Sequence, residues 1–152
     1  TLHTNDAPST ILRLLDLGVE NFLLTATIEA IVGQRLVRKI CSKCKQEYTP
    51  TEEQLMELQL RPSDVEGRTL FRGSGCDECH NSGFKGRMAI FEIMQLDDGI
   101  RELIMSQSST ANLRAEARRR GMRTLRESGL LGIYEGQTTI DEVVRETISE
   151  EE

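Results

Sequence analysis

Four cysteines, Cys41, Cys44, Cys76 and Cys79, form two C-x-x-C pairs with 31 residues between them. Two intervening residues let both sulfurs of a pair turn into one concave knuckle. Two facing knuckles supply four thiolates, the tetrahedral set of a closed structural zinc site. The second pair lies in Arg72-Gly73-Ser74-Gly75-Cys76-Asp77-Glu78-Cys79-His80-Asn81-Ser82-Gly83, where flanking glycines permit the positive φ values that such turns need. A disulfide framework calls for an oxidising compartment, and nothing in the sequence suggests secretion. A thioredoxin-like redox pair calls for one C-x-x-C at a helix start after a strand, and iron–sulfur clusters use other spacings. Four thiolates close the shell, so the pattern reads as structural zinc and leaves no position for a catalytic water. His80, beside Cys79, is able to replace a ligand, but a surface turn histidine is the simpler reading.

The elements that position these knuckles belong to a chain of 152 residues, enough for one domain or two small ones. Hydrophobic residues make up 38%, aromatic residues 4%, and tryptophan is absent, so the core must rely on Leu, Ile, Val and Met. A formal net charge of −6 argues against a polyanion binder. No run approaches the roughly 18 apolar residues of a membrane span. The polar opening, Thr1 to Asp6, does not read as a signal peptide, and with no initiator methionine the chain is expected to be an excised fragment. Reduced cysteines and an acidic composition point to the cytoplasm.

Asp6 with Pro8 predicts a helix start, Ile11, Leu12, Leu14 and Leu15 its periodicity, and Gly18 its stop. A second helix is predicted over 21–31, with Phe22, Leu23, Ile28 and Ile31 inward, broken by Gly33. Residues 34–40 read as a strand leading into the first cysteine pair. Thr49-Pro50-Thr51-Glu52 has capping-box spacing and predicts a helix to about Leu60, packing Leu55, Met56 and Leu58 or Leu60. Leu70-Phe71 reads as a short strand. Residues 86–96 read as another, buried on both faces because the apolar residues do not alternate. Helices follow from Asp97 to Met105, from Ser108 or Ser109 to Gly121, from Thr124 to Glu135 with Leu125, Leu130, Leu131 and Tyr134 inward, and from a Thr138–Asp141 cap onward with Val143, Val144 and Ile148 inward. Glu150 to Glu152 should fray. The fold class is α+β and helix-rich.

Several stretches, taken in order, resemble the secretion ATPases that drive bacterial type II secretion and type IV pilus assembly. Thr1-Leu2-His3-Thr4-Asn5-Asp6-Ala7 is similar to that family's His box, and Gly33-Gln34-Arg35-Leu36-Val37-Arg38 to the segment before its zinc module. The tetracysteine spacing fits. Gly83-Phe84-Lys85-Gly86-Arg87 with Ile90-Phe91-Glu92 resembles the sequence after the second pair, and Gly136-Gln137-Thr138-Thr139-Ile140-Asp141-Glu142-Val143 the closing helix.

The resemblance implies the truncated end of a RecA-like P-loop ATPase core over 1–40, a tetracysteine zinc module with short strands over 41–95, and a C-terminal helical subdomain over 96–152. It implies a homo-hexameric parent that uses ATP and Mg2+ to extrude pilin or pseudopilin through an inner-membrane platform protein, cytoplasmic but peripherally associated with that membrane. A pilus, a secretion system and DNA uptake all lie within it. The sequence has no G-x-x-x-x-G-K-[ST] loop, which should lie before Thr1, so the fragment alone is expected not to hydrolyse ATP. His3 corresponds to the histidine near the nucleotide phosphates, where it can donate to developing phosphoryl charge; read alone, it is a histidine holding a strand end. Arg35 and Arg38 can reach nucleotide or a neighbouring subunit, or line a solvated strand. Arg87 can tie the zinc module to Glu92 or another carboxylate. The cluster Arg114, Arg118, Arg119, Arg120, Arg123 and Arg126 can meet anionic lipid or an acidic partner, though a solvated face paired with Glu116 and Glu127 is the simpler reading.

Two other functions fit the residues alone. A zinc-ribbon nucleic-acid module is favoured locally by Arg35, Arg38, Lys39, Lys43 and Lys45 and disfavoured by net charge and few aromatics. A purely structural zinc adaptor is the other.

Overall fold

The structure, a computed structural model, describes residues 2–147. The expected burial of Ile148 and fraying of Glu150 to Glu152 lie outside them. In chain order the elements are α1 (Ala7–Asp16), α2 (Asn21–Thr27), β1 (Ala30–Ile40), β2 (Lys45–Tyr48), α3 (Glu52–Glu57), β3 (Leu70–Gly73), β4 (Phe84–Gln95), α4 (Asp98–Met105), α5 (Thr110–Arg119), α6 (Leu125–Tyr134) and α7 (Ile140–Glu146). This is a mixed helix and strand fold. None of the described helices is long and apolar enough to cross a membrane.

The described residues form two compact units. One gathers 2–34 and 91–125, the other 35–90 and 126–147, so β1 and β4 contribute to both. β1 is hydrogen-bonded to β4. Leu96 N–H donates to the Glu29 carbonyl beyond one end, and Cys41 N–H to the Gly83 carbonyl beyond the other, so the two strands run antiparallel.

In the first unit, Asp6 caps α1 by accepting the Ser9 N–H, with Pro8 in the first turn, and Gly18 follows the helix at φ +90°. The helix start and stop are where the sequence puts them. α2 is shorter than expected. It ends at Thr27, and Ile28 is already extended. The β-branched residues from Thr27 to Val32 favour strand, and Gly33 lies inside β1 rather than breaking it. Phe22 and Leu23 are exposed, and Leu24 is the buried residue of the helix. Asp97 caps α4 and Ser109 caps α5 through their side-chain oxygens. The core joins Ala7, Ile11, Met94, Leu96, Ile100, Ile104, Leu113 and Ala117.

β4 does not bury both faces at its end. Ile90, Glu92 and Met94 are buried, and Phe91 and Ile93 are exposed. Glu92 is 2% exposed. Its carboxylate does not wait for Arg87, which is exposed. It accepts the N–H of Ala7 at 2.7 Å and that of Leu125 at 3.1 Å, satisfying the first donors of two helices.

In the second unit, β2 and β3 pair antiparallel, with Lys45 opposite Gly73 and Tyr48 opposite Leu70. The capping box is two residues later than the spacing suggested: Thr51 and Gln54 satisfy each other's backbone N–H groups, and the helix ends before Leu58. Leu55, Leu58, Leu70, Ile133, Ile140 and Val143 form the core. Met56 and Leu131, expected inside, point outward.

Candidate metal centre

β1 delivers Cys41 and β2 follows Cys44, so the first knuckle is the link between two strands. β3 leads into the second knuckle, a single 3-10 turn over Asp77–Cys79. His80 and Asn81 then take positive φ, at 50° and 60°, as does Gly83 at 77°. Gly73 and Gly83 pass so close that a Cβ on Gly73 would lie 2.1 Å from the Gly83 carbonyl oxygen. The glycines thus serve both strained turns and backbone contact between the knuckle's two ends.

This packing brings all four sulfurs together, each within 4.8 Å of the others. Cys41 and Cys76 are 3.9 Å apart, Cys44 and Cys79 3.8 Å, and Cys76 and Cys79 3.7 Å. A tetrahedron of thiolates bound at 2.3 Å has edges of roughly 3.8 Å. No pair is at disulfide distance, and all four are free cysteines. Backbone N–H groups of Cys76 and Gly83 donate to the Cys79 sulfur, each at 3.3 Å. Burial pushes the Cys79 thiol up, but these donors, together with the neighbouring Cys76 and Cys44 thiols, outweigh it and bring it down to about 6. Burial dominates at Cys76, whose thiol is pushed up to about 11, and it also raises Cys44. The donor set is all sulfur, with N–H groups aimed at the charge that a thiolate carries, and it suits a metal ion.

The first ligand is held from a distance in sequence. Arg38, three residues before Cys41, donates its backbone N–H to Glu142 Oε1 at 2.9 Å and both Nε and a terminal nitrogen to the same carboxylate. Its guanidinium also lies 4.2 Å from the centre of the Phe84 ring. Glu142 is 2% exposed and takes Arg145 as a second cation, at 2.8 Å. Thr139 caps α7, with Glu142 at the reciprocal position, but the carboxylate turns to Arg38. The partners of Glu92 and Glu142 were missed in the sequence, which offered Glu92 to Arg87 and placed Glu142 only in the closing-helix stretch. A glutamate inside an apolar strand and one three residues after a capping threonine were the available signals.

His3 stands exposed ahead of α1, Arg35 is half-buried on β1, and His80 is exposed in its turn. The arginine cluster is largely committed. Arg114 pairs with Asp6, Arg119 and Arg120 with Glu116, Arg120 also with Asp97, and Arg126 donates to Thr147.

The chain is similar to known proteins along nearly its whole length. Residues 1–145 match the family described as Type II/IV secretion system protein. The chain belongs to that family. The type IV pilus assembly ATPase PilB of Thermus thermophilus is 45% identical over 97% of this chain and 17% of its own length. PilB of Myxococcus xanthus is 44% identical over 97% of the chain and 26% of its own length. The type II secretion system protein E of Pseudomonas aeruginosa is 41% identical over 99% of the chain and 29% of its own length. The chain therefore spans less than a third of each of these family members.

Proposed function

We propose that the chain is the C-terminal part of a motor ATPase that powers type II secretion or type IV pilus assembly. The observation that carries this reading is the unbroken match over residues 1–145, with relatives of both kinds aligned along 97–99% of the chain. In this reading residues 1–40 end a RecA-like core, 41–95 are a zinc module and 96–152 a helical subdomain. The parent is a cytoplasmic hexamer that binds ATP and Mg2+ and reaches the inner membrane through a platform protein.

Cys41, Cys44, Cys76 and Cys79 hold the zinc. A closed shell of four thiolates supplies cross-linking, with no position for a reacting water. Its work is mechanical: it fixes two knuckles that a small core could not hold alone, and the braced module transmits motion to the platform protein. His3 donates a hydrogen bond to the nucleotide phosphates, and Arg35 reaches nucleotide or a neighbouring subunit. The Arg38 guanidinium is engaged by Glu142 and braces the module instead. With no phosphate-binding loop in its sequence, the 152-residue chain by itself does not hydrolyse ATP.

The test uses the full-length protein. Serine at any of the four cysteines should abolish metal binding and stop secretion or pilus extension while leaving nucleotide binding in place. Normal export by a metal-free variant would reject the module's coupling role, and undiminished hydrolysis by His3→Ala would reject the role of His3.

A further inference from the structure

The backbone leading into the first cysteine is paired with β4 and is also held by residues about a hundred positions later. Arg38 N–H goes to Glu142 Oε1 at 2.9 Å, and the Arg38 carbonyl accepts the Thr138 hydroxyl at 2.9 Å. Ile40 N–H goes to the Gln137 carbonyl at 2.8 Å, and Cys41 N–H to the Gly83 carbonyl at 2.9 Å. Three of these four bonds therefore come from the loop before α7 and from α7 itself. The fourth comes from Gly83, the residue whose own N–H donates to the Cys79 sulfur.

Glu142 is the centre of this clasp. Its carboxylate is buried and accepts from the Arg38 backbone, the Arg38 guanidinium and Arg145. The guanidinium it orients lies over Phe84, the neighbour of Gly83. One carboxylate thus bears on both sides of the site: on Cys41 through the strand, and on Cys79 through Phe84 and Gly83. The carboxylate of an ordinary solvated ion pair would not be 2% exposed or spend one oxygen on a backbone N–H three residues from a ligand.

We propose that Glu142 is a positioning residue for the four-cysteine centre, and that its carboxylate clasp, rather than the apolar docking of α7, governs how firmly the chain retains its metal. The proposal rests on the reading that the cysteines bind a metal ion. In chemical terms the carboxylate holds Cys41 in the geometry of the other three sulfurs. Without it, the metal keeps its ligands but loses the frame that stops the first one swinging away.

The experiment loads the intact chain with one equivalent of zinc and measures release to excess chromophoric chelator. Cobalt(II) loading provides the thiolate-to-metal absorption as a second readout. Glu142→Ala and Glu142→Gln are compared with Thr138→Val, which removes one hydroxyl from the same clasp, and with Leu55→Ala, which opens a cavity in the apolar core shared with Ile140 and Val143 of α7 but removes no polar group of the clasp. The expected result is release faster by roughly tenfold or more for Glu142→Ala, the low end of what losing a ligand's outer partner costs. Glu142→Gln and Thr138→Val should fall between it and wild type, Leu55→Ala within about twofold of wild type, and the cobalt spectrum should change only in the clasp variants. Equal release across the clasp variants, or equal acceleration in Leu55→Ala, overturns the proposal. A wild-type chain that binds neither metal overturns the metal reading and the clasp with it, whereas a loaded wild type with unaltered variants overturns the clasp alone. Should Glu142→Ala fail to fold, the comparison of Thr138→Val with Leu55→Ala decides.

Discussion

Glu92 lies 85 positions from Ala7 in sequence, yet its carboxylate accepts the Ala7 N–H at 2.7 Å. The other oxygen accepts the N–H of Leu125. A strand residue therefore does for α1 and α6 what a capping side chain does locally. Burial raises the Glu92 carboxyl above its ordinary range, against the two N–H groups that favour its charge.

The first prediction follows from those two donors. Glu92→Leu leaves both N–H groups buried without an acceptor, and each should cost about 1–3 kcal/mol. Glu92→Gln keeps one acceptor and should cost roughly half as much. Urea denaturation monitored by circular dichroism checks this. Equal stability of the leucine variant and wild type would show that water replaces the carboxylate.

Asp6 gives a pH dependence with the opposite origin. Burial pushes its carboxyl up, but the hydrogen bonds from Ser9 and the charge of Arg114 outweigh it and hold it below the ordinary value. A depressed carboxyl contributes stability that is present above the unfolded value of about 3.9 and is lost as pH falls through the folded one. Asp6→Asn keeps a good cap but loses the ion pair, so it should destabilise by about 1 kcal/mol near neutral pH. That difference should vanish on acidification below the folded pKa. Unfolding midpoints of both proteins, measured from neutral pH down to about pH 2.5, test it, and a gap that persists at the acid end would assign the effect to packing.

The cysteine quartet was legible because C-x-x-C spacing is a local constraint that survives any fold around it. The caps at Asp6, Asp97 and Ser109 were legible for the same reason. What the sequence hid depends on pairings between distant residues. The apolar run Met88 to Met94 has no visible alternation, because its outward positions, Phe91 and Ile93, are as hydrophobic as its inward ones. Gly33 reads as a breaker until β4 lies beside it. The partner of Arg38 could not be foreseen, since Glu142 is 104 positions away.

The two faces of β4 can be told apart by substitution. Met94 is fully buried in the first unit's core, and Met94→Ala should cost about 2–5 kcal/mol. Ile93, 54% exposed, should accept threonine within about 0.5 kcal/mol. Thermal unfolding of the pair checks the register. A loss at Ile93 comparable with that at Met94 would mean that the outward face is also packed.

The last prediction concerns two glycines near the cysteines that differ in both backbone conformation and surroundings. A Cβ on Gly73 would lie 2.1 Å from the Gly83 carbonyl oxygen, a backbone atom that cannot step aside. That carbonyl accepts the N–H of Cys41, and the Gly83 N–H donates to Cys79, so any shift moves two ligands at once. Gly86 has φ +82° but open space where a Cβ would go. Gly86→Ala therefore meets only the backbone cost of a left-handed residue, about 1–2 kcal/mol, and should still take up metal fully. Gly73→Ala should lose most metal binding even where helical content is unchanged. Metal content after dialysis, read beside far-ultraviolet dichroism, separates the outcomes. Equal metal retention by both variants would mean that the knuckles tolerate a wider separation of these backbones, and that sulfur convergence does not depend on their close approach.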